Sequence, residues 1–69
     1  MIRATLYAER KKNNLTQKEI AGKIGISKQQ YSKIEKGEQN GSLGVWQKLA
    51  KVLNKSIDYL LEQESNGKE

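Results

Sequence analysis

The 69-residue chain contains no cysteine, histidine, proline or phenylalanine. Without cysteine or histidine it lacks the ligand sets of zinc fingers and the disulfides of small secreted scaffolds, and we expect no metal site. Its longest apolar runs, such as Tyr59 to Leu61, are far shorter than the roughly 18 residues needed to span a bilayer. We therefore expect a soluble intracellular domain that is stabilised by helix packing around Leu, Ile, Val and the single Trp46.

Positive charge is concentrated in the first 61 residues. The whole chain has thirteen Lys or Arg against eight Asp or Glu, whereas residues 1–61 have twelve against five, a formal charge of +7. We expect a folded basic domain over residues 1–61 and a flexible acidic tail over residues 62–69. Such a domain is attracted to polyanions, either nucleic acid or an acidic membrane surface. A lysine-rich surface that only maintains solubility is the alternative.

Capping residues and apolar spacing predict five short helices, at residues 2–12, 17–24, 28–36, 43–53 and 57–61. Capping boxes formed by Thr16 with Glu19, and by Ser27 with Gln30, mark the starts of the second and third helices. Only two residues separate the end of the second helix from the Ser27 cap. Helices joined by so short a link cross steeply and need a small residue, here Ala21, where they approach; this is a helix-turn-helix.

The third predicted helix has one face without carboxylates. At about 100° per residue, Tyr31 and Ile34 lie on the core side. The opposite side, which we call the outer stripe, consists of Lys28, Gln29, Ser32, Lys33 and Lys36. Lysine can donate to guanine or to phosphate, and a glutamine amide can pair with adenine, so the stripe suits a DNA groove. A merely solvated helix face is the alternative, but such a face usually carries both charge signs.

Residues 15–37, LTQKEIAGKIGISKQQYSKIEKG, resemble the helix-turn-helix of the phage repressor and Cro family, and the resemblance extends over residues 2–61. It implies a compact all-α, five-helix, lambda-repressor-like domain that regulates transcription as a phage, mobile-element or operon repressor. It also implies binding of a palindromic operator in double-stranded DNA by a homodimer, in the cytoplasm and at the nucleoid. In this family the subunits usually pair through the last turn, residues 57–61, and the loop before the fourth helix.

The resemblance also assigns roles to single residues. It implies that bases are read by Lys28, Gln29, Ser32 and Lys33. It implies that phosphates are bound by Thr16, Gln17, Lys36 and Asn40. It further implies a structural ion pair between Arg10 and Glu35, which would fix the angle of the third helix.

Catalysis has little support in this sequence. No histidine or cysteine is available as a nucleophile or base, no glycine-rich phosphate loop is present, and the carboxylates of residues 1–61 have capping, pairing or surface explanations. We therefore predict no enzymatic activity, no cofactor, no small-molecule ligand and no membrane partner. The rival function is a protein-interaction module, such as an antitoxin-like or polymerase-contacting domain, because one fold supports several functions.

Overall fold

The computed structural model describes residues 2–61, which form five α-helices. These are α1 (Ala4–Lys12), α2 (Gln17–Ile24), α3 (Lys28–Glu35), α4 (Leu43–Leu53) and α5 (Ile57–Leu60). The described residues contain no strand, and the predicted all-α, five-helix architecture is confirmed. None of the helices described is long and apolar enough to cross a membrane. The tail predicted for residues 62–69 lies outside the described residues.

Side-chain caps define where four of the helices begin. The Thr16 hydroxyl accepts the Glu19 N–H at 3.1 Å and Glu19 Oε1 accepts the Thr16 N–H at 2.8 Å, which confirms the predicted capping box. Ser27, Ser42 and Ser56 cap α3, α4 and α5 in the same way, each accepting the N–H three residues later. At Ser27 the structure shows only this half of the predicted box. Each cap contributes about 1 kcal/mol to helix stability.

The first helix begins two residues later than predicted. Arg3 has a non-helical backbone (φ −83°, ψ 88°), and its N–H donates to the Glu35 carbonyl at 2.8 Å. This contact with the end of α3 replaces the helical path, so α1 starts at Ala4 and Ile2 stays 49% exposed. The other differences are small, since α3 ends at Glu35 and α5 at Leu60, each one residue early.

Left-handed residues follow three of the helices, α2, α3 and α4. Gly25 follows α2 with φ 79°, Gly37 follows the α3 cap with φ 82°, and Asn54 follows α4 with φ 57°. Glycine adopts this conformation without steric cost, and asparagine is the side chain that tolerates it best. These stops make the connections short enough for consecutive helices to pack on one another.

The core lies between all five helices, with α2 packed on α3 and α4, and α1 packed on α3 and α5. Its buried apolar residues are Leu6, Ile20, Ala21, Ile24, Tyr31, Ile34, Trp46, Leu49, Leu53 and Leu60. Ala21, 1% exposed, is the predicted small residue. Leu43, the first residue of α4, is 67% exposed, and the buried face of α4 starts at Trp46.

Candidate nucleic-acid interface

The structure places the outer stripe on the solvent side of α3, with Lys36 as the residue that caps the end of the helix. Tyr31 and Ile34 are fully buried on the opposite side, as predicted. Within the stripe, Ser32 is half-buried and the other four residues are exposed. Among residues 2–61, the side chains of the stripe make no hydrogen bond or ion pair. Their donors are therefore available to an external ligand.

A buried polar cluster, which we call the Glu35 network, holds α3 against α1 and α2. Glu35 is 2% exposed and accepts from Arg10 Nε at 2.8 Å and Arg10 Nη2 at 3.2 Å. It also accepts from the Tyr31 hydroxyl and from Gln17 Nε2, both at 2.8 Å. Arg10 Nη1 donates in addition to the Leu15 carbonyl at 2.7 Å. The network thus links three helices around one carboxylate.

The electrostatics of the network keep its ion pair charged. Burial by itself raises the pKa of Glu35, but the hydrogen bonds from Arg10, Gln17 and Tyr31 outweigh burial and leave that pKa below its ordinary value. The hydrogen bond to Glu35 raises the pKa of Arg10. Burial, reinforced by the Glu35 charge, raises the pKa of the Tyr31 hydroxyl. That hydroxyl donates its proton to Glu35, so Tyr31 is both a core residue and a member of the network.

The start of α2 borders a cleft that is open to solvent, at one end of the helix-turn-helix. The cleft measures about 370 Å³ and is lined by Arg10, Lys11, Asn14, Leu15, Thr16 and Gln17. Gln17 is half-buried, with one amide N–H on Glu35 and the second unused within the described residues. The Thr16 hydroxyl accepts the Glu19 N–H and so keeps its own proton as a donor. The Thr16 backbone N–H lowers the pKa of Glu19, which keeps that cap ionised.

The loop after α3, residues 37–41, carries Asn40 and borders Lys36. The N–H groups of Glu38 and Gln39 both donate to the Lys33 carbonyl, at 2.8 and 3.2 Å. The Asn40 carbonyl accepts from Trp46 Nε1 at 2.5 Å. Asn40 is exposed, so its side chain is accessible to an external ligand.

Two buried charged residues, Arg3 and Glu9, make contacts that no sequence pattern indicates. Arg3 is 3% exposed and donates to the Ile34 carbonyl, to the Gln39 carbonyl at 2.8 Å and to Asn40 Oδ1 at 3.1 Å. Glu9, also 3% exposed, accepts from the Tyr59 hydroxyl at 3.0 Å and joins α1 to α5. In both cases the partners are more than 30 residues apart, and no local pattern predicts such a contact.

Comparison with known proteins agrees with the helix-turn-helix that α2 and α3 form. A family model described as helix-turn-helix matches residues 6–60. The chain is 37% identical over 59 residues to YqaE of Bacillus subtilis (strain 168), named an uncharacterized HTH-type transcriptional regulator. That match covers 86% of this chain and 51% of YqaE, so the chain spans about half the length of that relative.

A second relative matches along almost its whole length. It is an uncharacterized HTH-type transcriptional regulator of Archaeoglobus fulgidus, 32% identical over 65 residues, with 91% of this chain and 92% of the relative covered. Among solved structures, a chain of the SinR and SinI protein complex superposes with a TM-score of 0.82 at 31% identity. The superposition covers 97% of this chain and 66% of that one.

Proposed function

The chain belongs to the helix-turn-helix family of the Cro and repressor type, a family of DNA-binding transcriptional regulators, and on that premise we propose that it reads a specific operator with α3. In this proposal α3 lies in the major groove, where Lys28, Gln29, Ser32 and Lys33 contact base edges. The protein acts at the nucleoid, in the cytoplasm, as a repressor of the phage, mobile-element or operon type.

The outer stripe is the observation that carries the proposal. It is solvent-facing, it contains three lysines and no carboxylate, and its side chains have no partners among residues 2–61. Positive side chains on the exposed face of a short helix match both the charge and the width of a major groove. The Glu35 network supports the same function, because it fixes the orientation of the helix that carries the stripe.

Donor groups on both sides of α3 fit contacts to the DNA backbone. On one side, the Thr16 hydroxyl, the second Gln17 amide N–H and the free N–H groups at the start of α2 bind one phosphate. On the other side, Lys36 and the Asn40 amide bind a second phosphate. Such contacts set the position of the protein on the duplex, whereas the outer stripe supplies sequence preference.

The operator is read by two copies of the chain. A single α3 of eight residues spans too few base pairs to define a site, whereas two copies on a palindrome double the sequence that is read. Exposed apolar side chains support this pairing. Tyr59, in the expected segment 57–61, is 39% exposed, and Leu43, which directly follows the loop before α4, is 67% exposed.

Selection of binding sites from random duplex DNA tests the reading function. We expect one enriched sequence, whose affinity falls steeply as salt rises because counterions are released from phosphates on binding. Lys33→Ala should relax the base preference. Lys51→Ala removes the same charge from an exposed position on α4 and should leave the preference intact. No enriched sequence, or equal changes in preference for the two variants, would contradict the assignment.

The spacing of half-sites tests the pairing. Two α3 helices related by a two-fold axis enter successive grooves, so half-site centres should lie about 10 to 10.5 base pairs apart, or near a multiple of that. Inserting about five base pairs puts the second groove on the far side of the duplex and should abolish cooperative binding, while about ten should partly restore it. Unchanged affinity after the half-turn insertion would show that one copy reads the site alone.

A protein-interaction module is the second candidate. The similar solved structure is titled as a complex of SinR with the protein SinI, and Leu43 offers an exposed apolar side chain for a protein contact here. The salt titration separates the two candidates. A chain with no affinity for random or selected duplex at low salt would favour the protein-binding function, because non-specific attraction to phosphate accompanies every DNA reader of this charge.

A further inference from the structure

We propose that Arg3 is a positioning residue for the second phosphate contact: it fixes the loop 37–41 and turns the Asn40 amide toward DNA. This inference rests on the DNA-binding function proposed above. Arg3 itself is 3% exposed, so its guanidinium cannot be a direct phosphate ligand. Its effect on binding must pass through the groups that it holds.

Within residues 2–61, the guanidinium of Arg3 donates to acceptors in two segments, the end of α3 and the loop 37–41. It donates to the Ile34 carbonyl in the last turn of α3, to the Gln39 carbonyl at 2.8 Å and to Asn40 Oδ1 at 3.1 Å. The Ile34 carbonyl also accepts the Gly37 N–H at 3.1 Å, and the negative end of the α3 dipole favours a cation there. Arg3 thereby ties the end of α3 to the loop that follows it.

The loop needs such an external contact. Gly37 and Gly41 have φ values of 82° and 75°, and glycines of this kind leave a loop conformationally free. Within the loop, the N–H groups of Glu38 and Gln39 share one acceptor, the Lys33 carbonyl. Arg3 and Trp46 fix the rest, since Trp46 Nε1 donates to the Asn40 carbonyl at 2.5 Å and the Arg3 guanidinium lies 5.4 Å from the Trp46 ring centroid.

The hydrogen bond to Asn40 decides which end of its amide faces outward. A phosphate oxygen only accepts hydrogen bonds, so the amide must present its NH₂ group and not its carbonyl oxygen. Arg3 Nη2 binds Oδ1 of Asn40, which leaves Nδ2 as the group that points away from Arg3. A lysine in place of Arg3 would keep the charge but not the planar fork that reaches three acceptors together.

A double-mutant cycle with Arg3→Lys and Asn40→Ala tests the inference. Affinities for random duplex and for the selected operator are measured by fluorescence anisotropy, well below the unfolding midpoint of every variant. Arg3→Lys should weaken binding to both duplexes by the same factor, about fivefold, the equivalent of one lost hydrogen bond. In the Asn40→Ala background, Arg3→Lys should lower the affinity for each duplex by less than about twofold, because the amide through which Arg3 acts is absent. The proposal would be overturned if Arg3→Lys still weakened binding about fivefold in the Asn40→Ala background, or if it changed the base preference.

A measurement on the free protein separates this inference from the DNA-binding function. If Arg3 holds the loop, Arg3→Lys should speed hydrogen exchange at the Trp46 indole N–H and at the Gln39 amide, and leave the Ile20 amide in α2 unchanged. Unchanged exchange at Trp46 and Gln39 would overturn the role of Arg3, whether or not DNA binds. A different result would be faster exchange in Arg3→Lys, as expected, together with a parent chain that shows no salt-dependent affinity for DNA. That result would contradict the proposed function, and with it the phosphate role of the loop, but not the contact between Arg3 and the loop.

Discussion

Replacing Glu35 by glutamine should remove most of the stability of the domain. The side chain is 2% exposed and accepts four hydrogen bonds, two of them from Arg10, which is 6% exposed. Glutamine keeps one acceptor oxygen but places an NH₂ group against donors, and it leaves a buried guanidinium without its counter-charge. Breaking a buried ion pair from one side costs about 3 to 5 kcal/mol. A domain of this size rarely has more than about 3 to 5 kcal/mol in total.

Urea denaturation followed by far-ultraviolet circular dichroism measures this loss. A stabilising osmolyte keeps the Glu35→Gln variant folded enough for comparison. Glu38→Gln makes the same chemical change at an exposed carboxylate and should alter the free energy of unfolding by less than about 0.5 kcal/mol. Tyr31→Phe removes a single donor to Glu35 and should cost about 1.5 to 3 kcal/mol. A loss below about 1 kcal/mol for Glu35→Gln would refute the importance given to the network.

The difference in unfolding free energy between the parent chain and Glu35→Gln should depend on pH. The pKa of Glu35 is lower in the folded protein than its ordinary value, because the hydrogen bonds from Arg10, Gln17 and Tyr31 outweigh burial. The stability that it contributes is therefore complete above the unfolded pKa, about 4.3, and is lost as the pH falls through the lower folded pKa. The difference in unfolding free energy between the parent chain and Glu35→Gln should narrow in acid. A constant difference from neutral pH into that range would contradict the charge state assigned to the pair.

Three further substitutions test local features. Gly22→Ala should stabilise the domain by about 0.5 to 1 kcal/mol in urea, because Gly22 lies in α2 with nothing within 4 Å of a new Cβ. Destabilisation would show that this position is sterically restricted. Gln29→Ala should cost about 1 to 3 kcal/mol of binding free energy for the selected operator in gel-shift titrations. Gln47→Ala, at an exposed position on α4, should leave that affinity unchanged. A Gln29→Ala variant that binds as tightly as the parent chain would exclude Gln29 from base reading. Gln17→Ala should weaken binding to all sequences by similar factors, and a changed preference without general loss would exclude the phosphate role.

Local chemistry made most of the helix boundaries predictable from the sequence. Thr16, Ser42 and Asn54 act on groups within three or four residues of themselves, so their caps and stops can be read from spacing alone. The core side of α3 was also predictable, because Tyr31 and Ile34 follow the helical period. The hydrogen bond from Tyr31 to Glu35 is a local contact as well, since residues four apart on a helix are neighbours.

Contacts between distant segments were not predictable in this way. The start of α1 depends on the Arg3 N–H reaching the Glu35 carbonyl, 32 residues away, and no propensity of residues 2–4 encodes that bond. The 67% exposure of Leu43 depends on which face of α4 meets α2 and α5, and the helical period alone does not decide that. Residue type and period define a face, but tertiary packing decides how far along the helix the face is covered.

Burying charged side chains in so small a core costs free energy, and the positions of Arg3, Arg10 and Glu35 indicate why this cost is tolerated. Apolar side chains of similar volume often stabilise a core as well as a buried ion pair does, or better, so stability alone does not explain Arg10 and Glu35. The Glu35 network holds α3 from its inner side, while Arg3 holds its last turn and the loop beyond it. Hydrogen bonds are directional and apolar contacts are not, so these two sets restrict the rotation and tilt of α3 more tightly than repacked hydrocarbon would. Under the proposed function, the buried charges serve to orient the outer stripe, because a shift of about 1 Å at the protein surface is enough to misplace a contact to a base edge.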